Sequence, residues 1–227
     1  MNAKVIPVAF VSVLLLSPMA AVAASNDQPT AQTQQASNEY QLVQHAKNAV
    51  DRAKSDSHFR DLMKQAKGVF IVPNMVKGAL IVGGEGGQGV LLTRQGSTWS
   101  NPAFFSIGSI SVGAQAGGEA GPLVMLLMTD KALNDFDSAN NFSLNANAGL
   151  TIVNYAARGE GGFGKGDVIV WSGAKGALAS AAVSGTDISQ SKQADQRFYG
   201  RSVTTKEIIN GQITNASATG LRNAMPS

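Results

Sequence analysis

The run Leu123–Met128, LVMLLM, consists of six consecutive apolar residues with no charge between them. A strand of this composition has two apolar faces, and both must be covered. We therefore expect it to be a central strand of a sheet that carries a helix or a second sheet layer over each face.

Similar short apolar runs lie on both sides of this strand and are separated by glycine-rich turns. Glycine is in excess, with 25 of 227 residues against a usual share of ~7%. Period-two alternation and short, fully apolar runs of this kind predict sheet. The predicted strands are Val69–Val72, Ala79–Val82, Val90–Arg94, Phe104–Ile107, Ile110–Gln115, Leu123–Met128, Ser143–Val153, Asp167–Trp171 and Ala177–Val183.

Before the first strand, apolar residues recur at spacings of three and four between Asn38 and Lys67, which is the helical period. The segment Ser55-Asp56-Ser57 interrupts this pattern, and either Asp56 or Ser57 is a suitable N-cap. The sequence therefore predicts two N-terminal helices that meet at this segment.

Helical signals return later in the chain. Asp130 can cap a short helix after the central strand, Ser191–Tyr199 has a helical pattern, and Thr204 or Thr205 can cap Lys206–Asn210. An order of helices, many strands and then helices is typical of the α+β class. We expect N-terminal helices, a mostly antiparallel many-stranded sheet or barrel-like β core, and short C-terminal helices.

Residues 1–24 have the parts of a secretory signal peptide. Lys4 supplies a positive charge, and Val5–Leu16 form an apolar run that is shorter than the ~20 residues of a membrane span. Small residues at the end of the run predict cleavage after Ala23 or Ala24. We expect the mature protein in the periplasm or the cell envelope.

The segment 25–37, SNDQPTAQTQQAS, is polar and predicts a disordered linker, and residues 38–225 are expected to form one domain. The formal net charge of +3 at pH 7 falls to +2 without Lys4, which argues against nucleic acid as a partner. The chain contains no cysteine, so we expect neither a disulfide nor a covalent lipid at the cleavage site.

Two segments, Gly84–Gly89 and Gly159–Gly164, match the pattern G-x-G-x-x-G. A nucleotide site of this kind needs a following helix whose N-terminus holds the phosphates, whereas strand patterns follow both segments. They therefore predict hairpin turns. Glu85 and Glu160 could act as a catalytic pair only if the fold brings them together across a cleft.

His45 and His58 are the only histidines, and no cysteine or histidine cluster accompanies them. We interpret them as solvated residues on the helix faces. The segment nearest to a G-x-S-x-G nucleophile motif, Ser109–Gly113, lacks the first glycine. We expect no enzymatic activity, no cofactor and no metal.

Basic residues beside apolar ones are typical of phospholipid contact, because a phosphate head group binds Lys or Arg while acyl chains need apolar surface. The second predicted helix combines both, and further basic residues lie at strand ends or turns. The alternative is that the charges are scattered and that the apolar residues pack onto the sheet. The candidate lipid-binding residues are Phe59, Arg60, Leu62, Met63, Lys64, Lys67, Lys77 and Lys175.

A series of motifs occurs in a fixed order between Glu39 and Ala224. They are Ala66-Lys67-Gly68-Val69 through Pro73, Gly83–Gly89 with Val90-Leu91, Trp99–Phe104, Ser111–Gly117, Leu123–Met128, Lys175–Leu178, Phe198-Tyr199-Gly200, and Glu207-Ile208-Ile209 with Gly211. This ordered set resembles the SYLF-domain family. The resemblance implies a compact domain that binds phospholipids, in eukaryotic members notably phosphoinositides, with an N-terminal amphipathic helix in membrane contact.

Some eukaryotic members of that family also bind actin. Because the leader predicts export, we expect no actin partner for this chain, and we expect a phospholipid or a membrane surface in its place. The first interpretation is an exported, non-enzymatic phospholipid-binding protein. The alternative is an outer-membrane β-barrel or an envelope structural protein, which the leader and the glycine-rich strands favour and the flanking helices disfavour.

Overall fold

A computed structural model of the chain describes residues 31–78, 82–112, 119–138, 141–144, 150–155, 166–173 and 186–227. The helices are α1 (Ala31–Ala53), α2 (Ser57–Gln65), α3 (Asp130–Ser138), α4 (Lys192–Tyr199), α5 (Thr205–Ile209) and α6 (Thr219–Ala224), with a 3-10 helix at Ala216–Ala218. The strands are β1 (Gly68–Gly78), β2 (Val82–Gln95), β3 (Thr98–Trp99), β4 (Ala103–Val112), β5 (Glu119–Leu127), β6 (Asn141–Leu144), β7 (Ile152–Asn154), β8 (Val168–Ser172) and β9 (Thr186–Gln190).

The strands form one sheet in the order β6-β9-β4-β2-β1-β5-β8-β7, with β3 paired to β2. Neighbouring strands are antiparallel, except that β7 and β8 are parallel. The predicted α+β class, with N-terminal helices, a mostly antiparallel sheet and short C-terminal helices, is confirmed. The run LVMLLM lies almost entirely in β5, between β1 and β8, so the prediction of a central strand is also confirmed.

Two apolar clusters cover the two faces of the sheet. Alternate residues of β5 divide between them: Val124 and Leu126 join one cluster, whereas Leu123, Met125 and Leu127 join the other. Helices α1, α2, α4 and α6 pack on the first face, and α3 and α5 pack on the second. Since burial of a large apolar side chain contributes about 1.5–3 kcal/mol, this double cover explains why a strand without a polar face is stable.

The predicted break between the N-terminal helices is confirmed. Asp56 is the N-cap of α2, and its Oδ1 accepts a hydrogen bond from Phe59 N at 3.1 Å. The prediction of a disordered linker over 25–37 is wrong for its last residues, because α1 begins at Ala31. Helical hydrogen bonding extends α1 from the apolar pattern into this polar stretch, while residues 25–30 and the predicted leader lie outside the described residues.

The caps of the later helices agree with the sequence in part. Thr204 caps α5 in a reciprocal capping box with Glu207, as predicted. For α3, however, Thr129 Oγ1 accepts from Ala132 N at 3.3 Å, so the cap lies one residue before the predicted Asp130. The sequence patterns did not predict β9 or α6, and the predicted strand at 177–183 lies outside the described residues.

The prediction of a hairpin turn at Gly84–Gly89 is wrong. This segment lies inside β2 and pairs with β1 on one side and β4 on the other. A Cβ atom on Gly87 would lie 2.7 Å from Val72 Cγ1, and one on Gly89 would lie 2.7 Å from Phe70 Cε2. The glycines are therefore needed for close packing of β1 against β2, while the matching segment at 159–164 lies outside the described residues.

Candidate functional site

The apolar residues predicted to contact lipid are mostly part of the core. Phe59 and Met63 of α2 are fully buried, and the Phe59 ring packs edge-on against Tyr155 with centroids 5.1 Å apart. Leu62 is half-buried against the same cluster. Phe59 and Met63 cannot enter a bilayer unless α2 leaves the sheet. The structure therefore favours the alternative interpretation, in which these apolar residues pack onto the sheet.

The basic candidates on and next to α2 are exposed. Helical spacing places Arg60 and Lys64 on the exposed side of α2 because Phe59 and Met63 face the sheet. Lys64 pairs with Asp61 at 2.9 Å, and Lys67 pairs with Asp130 at 2.7 Å. Two of these positive charges are thus partly balanced by carboxylates.

The two remaining candidates are distant from this group or undescribed. Lys67 precedes the first residue of β1 and Lys77 lies near its last, so at ~3.3 Å per residue roughly 30 Å of strand separates them. In the strand register Lys77 lies opposite Glu85 of β2 and Glu119 of β5. Lys175 lies outside the described residues. A role for the basic candidates in lipid binding stays a prediction.

The described surface exposes few large apolar side chains that could insert into a membrane. Among the residues whose exposure is known, Tyr40 is the large hydrophobic that is exposed, at 39%, and its ring packs on Phe198 with centroids 5.2 Å apart. None of the described helices has the length and apolar character needed to cross a bilayer.

A half-open cleft of about 210 Å³ lies where α1 crosses the sheet. One wall is a single face of α1, formed by residues spaced three, four and seven apart. The opposite wall comes from the middle of β1 and from β5. The cleft is lined by His45, Asn48, Ala49, Arg52, Pro73, Asn74 and Pro122.

A β-bulge in β1 shapes this cleft. Ile71 pairs with Val90 and Val76 pairs with Gly86, so β1 has one residue more than β2 over this interval. Extra residues of this kind bend a strand and redirect its side chains. The bulge contains Pro73, and the Asn74 carbonyl oxygen would lie 2.8 Å from a Cβ on Gly87. The glycine-rich segment of β2 thus gives the bulge the space it occupies.

Arg52 is the charged residue with the most unused hydrogen-bonding capacity in the cleft. Its Nη2 donates to Gly173 O at 3.3 Å, and it forms no ion pair with any described residue. The neighbouring Asp51 is held elsewhere, by Lys47 at 2.7 Å and Lys54 at 3.0 Å. Burial alone would raise the pKa of Asp51, but the hydrogen bonds and charges of these two lysines hold it below its ordinary value.

The polar side chains around Arg52 are neutral or basic. His45, Asn48 and Asn74 are exposed, and no hydrogen bond ties their side chains to other described residues. The lining contains neither a carboxylate nor a hydroxyl or thiol nucleophile. In the described part of the chain there is also no cluster of three His, Cys, Asp or Glu side chains that could hold a metal ion. The arrangement can bind an anion, and its lining offers no side chain of the type that serves as a covalent nucleophile in hydrolases.

The motif Trp99–Phe104 has a structural role, because it fastens the C-terminal segment. Trp99 Nε1 donates to Pro226 O at 2.9 Å, and the Arg94 guanidinium lies 4.3 Å from the centre of the Trp99 ring. Asn101 Nδ2 donates to Ile213 O at 3.0 Å. These contacts give the motif a role in the scaffold, and the cleft remains the candidate site.

The same motif meets a buried acid on α4. Asp195 is fully buried, and its Oδ1 accepts from Phe104 N at 2.9 Å, whereas Oδ2 has no hydrogen-bond partner among the described residues. Burial raises the pKa of Asp195 to about 7, although the Phe104 hydrogen bond lowers it. The adjacent Tyr199 donates its hydroxyl to Pro102 O at 2.7 Å. Asp195 is enclosed by the scaffold and does not reach the cleft lining.

Sequence reasoning considered His45 but missed Asn48, Arg52 and Asn74. The only available signal was the shared helical face of His45, Asn48 and Arg52, and polar residues on such a face are usually just solvated. The bulge that places Asn74 opposite them depends on the pairing of β1 with two neighbours, which is a tertiary feature.

A family model described as "Ysc84: Las17-binding protein actin regulator" matches residues 108–227. Curated relatives include LAS seventeen-binding protein 3 of Saccharomyces cerevisiae, 29% identical over 160 residues that cover 67% of this chain and 34% of the relative. Protein YSC84 of the same yeast is 28% identical over 159 residues, with 67% and 34% coverage. SH3 domain-containing YSC84-like protein 1 of Bos taurus is 26% identical over 157 residues, with 67% and 46% coverage.

The chain therefore spans only about a third to a half of the length of these relatives. The expectation that this chain has no actin partner is contradicted, because the matching family is described as an actin regulator and a yeast relative is named LAS seventeen-binding protein 3. That expectation rested on the predicted leader and on no feature of the folded domain, which is why the comparison overturns it.

Proposed function

The chain belongs to the Ysc84 family, also called SYLF, and from this premise we propose that its folded domain binds phospholipid at a membrane surface and catalyses no reaction. The observation that carries the proposal is the cleft between α1 and the bulge of β1. It combines the Arg52 guanidinium, which forms no ion pair with a described residue, with apolar walls from Ala49, Pro73 and Pro122. A phospholipid presents the matching combination of an anionic phosphate and, beyond the glycerol esters, apolar acyl chains.

The size of the cleft limits how much of a lipid it holds. Its volume of about 210 Å³ is below the ~300–1,000 Å³ of pockets that enclose a drug-sized ligand. A head group fits such a space, and the acyl chains then stay in the bilayer. We accordingly favour binding at the surface over extraction of a whole lipid.

Binding of this kind is weak and reversible. Each Lys or Arg close to an anionic leaflet contributes about 1 kcal/mol, and the attraction decays within a Debye length. The described surface adds little insertion of apolar side chains, since Phe59 and Met63 are in the core. Affinity should therefore depend strongly on the anionic lipid fraction and on salt.

Vesicle co-sedimentation tests this proposal. The folded domain is mixed with phosphatidylcholine vesicles that contain increasing fractions of phosphatidylglycerol, at low and at high salt. We expect bound protein to increase with the anionic fraction and to decrease with salt. Absence of binding at every composition would contradict the proposal.

We also propose that the chain is exported before it acts. Support comes from the sequence of residues 1–24, with Lys4 before an apolar run and small residues at Ala23 and Ala24. The intact mass of the protein purified from its own cells tests this step. A chain that starts at Ala24 or Ser25 is expected, and a mature chain that retains Met1 would refute export through this signal.

A second candidate function is binding to an actin-regulating protein or to actin itself. The observation in its favour is the description of the matching family as a Las17-binding actin regulator. Co-sedimentation of the domain with filamentous actin tests it, with the same domain unfolded by heat as the control. Specific co-sedimentation of the folded domain supports this function, whereas equal background for both samples rejects direct binding to filaments.

A further inference from the structure

We infer that the cleft between α1 and the β1 bulge is a phosphate-binding site, anchored by Arg52, for phosphate esters whose head group carries no cation. The inference rests on the proposed function, because it assigns phospholipid binding to the residues of this cleft. It also goes beyond the family match, since six of the seven lining residues precede residue 108, where the match begins.

The first argument is the state of the Arg52 guanidinium. Its Nη2 donates to Gly173 O at 3.3 Å, a long contact to a neutral oxygen. A guanidinium has five N–H donors in a planar fork, which suits two oxygens of one phosphate group. Arg52 is therefore positioned by Gly173 O, and most of its donors remain available to a ligand.

The second argument is the balance of charge. Asp51, the carboxylate next to Arg52 in sequence, forms ion pairs with both Lys47 and Lys54. The cleft lining itself has no acidic side chain. A head group with an ammonium, such as choline, would therefore meet Arg52 without any carboxylate to balance it. This asymmetry favours a head group that is purely anionic.

The third argument is the position of the other polar side chains of the cleft. His45 and Arg52 are seven residues apart on α1, which corresponds to about 10 Å along the helix, and Asn48 lies between them. Asn74 faces them from the bulge. Amide and imidazole groups can both donate and accept, so they suit the ester and hydroxyl oxygens that extend from a phosphate held at Arg52.

The last turn of a helix carries partial negative charge, which opposes an anion. Since Arg52 lies in the last turn of α1, binding must depend on its side chain and not on the backbone of the helix. This makes the substitution Arg52→Gln a sharp test. Arg52 is exposed and the only described hydrogen bond of its side chain is to Gly173 O, so the variant should fold normally.

The experiment measures two ligands on the same variants. Glycerol 3-phosphate is titrated in solution while the His45 ring resonances are followed by NMR, and phosphatidylglycerol vesicles are titrated by co-sedimentation. Arg201→Gln is the matched control, because Arg201 is exposed and does not line the cleft. Arg60→Gln tests the basic surface of α2 in parallel, and thermal unfolding verifies that all variants are folded.

We expect R52Q to weaken binding of vesicles by roughly tenfold to a hundredfold, the factor for loss of one hydrogen bond to a charged group, while R201Q behaves as wild type. Saturable shifts of His45 with glycerol 3-phosphate, lost in R52Q, would support a site for soluble phosphate esters as well. A second outcome is that R52Q weakens vesicle binding while glycerol 3-phosphate causes no shift of His45. This outcome supports the same site and shows that the phosphate it binds belongs to a lipid.

The outcomes separate this inference from the proposed function. If vesicles bind but R52Q, R60Q and R201Q weaken binding equally, the domain binds lipid by diffuse charge and the cleft inference is overturned. If glycerol 3-phosphate binds through Arg52 while no vesicle binds, the phosphate site stands and the membrane function fails. Equal binding of phosphatidylcholine and phosphatidylglycerol vesicles would overturn the preference for head groups without a cation.

Discussion

The buried carboxyl of Asp195 should make the stability of this domain depend on pH, and the substitution Asp195→Asn should remove that dependence. Asp195 is a fully buried residue of α4 and accepts one hydrogen bond, from Phe104 N at 2.9 Å. Burial raises its pKa from 3.8 to about 7. The native state therefore holds a proton on this group that the unfolded chain releases at much lower pH.

The sign and size follow from linkage between protonation and folding. A pKa that is raised on folding contributes stability that is complete below the unfolded value of 3.8 and is lost as pH rises toward about 7. A shift of about 3 units at 1.36 kcal/mol per unit corresponds to about 4 kcal/mol in the free energy of unfolding. The pKa values of Asp51, Asp56 and Asp167 are lowered on folding. The stability that these three carboxylates contribute to the domain is therefore lost only at acidic pH.

Urea denaturation at a series of pH values between about 4.5 and 7.5 measures this effect. For the wild type, we expect the free energy of unfolding to decrease by several kcal/mol across this range. In D195N the amide oxygen can still accept from Phe104 N, and the decrease should be absent. A pH dependence that is the same in both proteins would refute the assignment of this proton to Asp195.

Three further predictions concern the scaffold. Gly87→Ala should destabilise the domain by about 1–3 kcal/mol, because the added Cβ would lie 2.7 Å from a side chain of β1. Gly86→Ala is the control, since its Cβ would lie 3.5 Å from the nearest atom, and it should change the melting temperature little. Trp99→Phe removes the hydrogen bond to Pro226 O and should increase hydrogen exchange of the C-terminal segment; unchanged exchange would show that this bond does not hold it. Leu126→Asp places a charge in the core and should abolish the cooperative thermal transition, so a retained transition would contradict a central β5.

The elements that local patterns determine were predictable from sequence. The run LVMLLM has no polar face, and only a strand covered on both sides satisfies it. The caps at Asp56 and Thr204 follow from side chains that bond their own helix. The segment Gly84–Gly89 was not predictable, because turns and closely packed strands use glycine for different reasons that look alike in a sequence.

The site was less predictable than the fold. An apolar helix face with residues such as Phe59 and Met63 suits a bilayer and a sheet equally, and only the tertiary structure shows that the sheet covers it. The cleft depends on one extra residue in β1 and on its register with β2, which has no local signal. Arg52 differs from other exposed basic residues because the adjacent carboxylate, Asp51, forms ion pairs with Lys47 and Lys54.

The most direct test of the account is hydrogen–deuterium exchange of the folded domain with and without phosphatidylglycerol vesicles. We expect protection in the second half of α1, which contains His45 and Arg52, and in the bulge at the amide of Asn74. The rest of the described surface should exchange as in the free domain. Protection confined to α2, or no protection under conditions where the vesicles bind, would contradict the placement of lipid at this cleft.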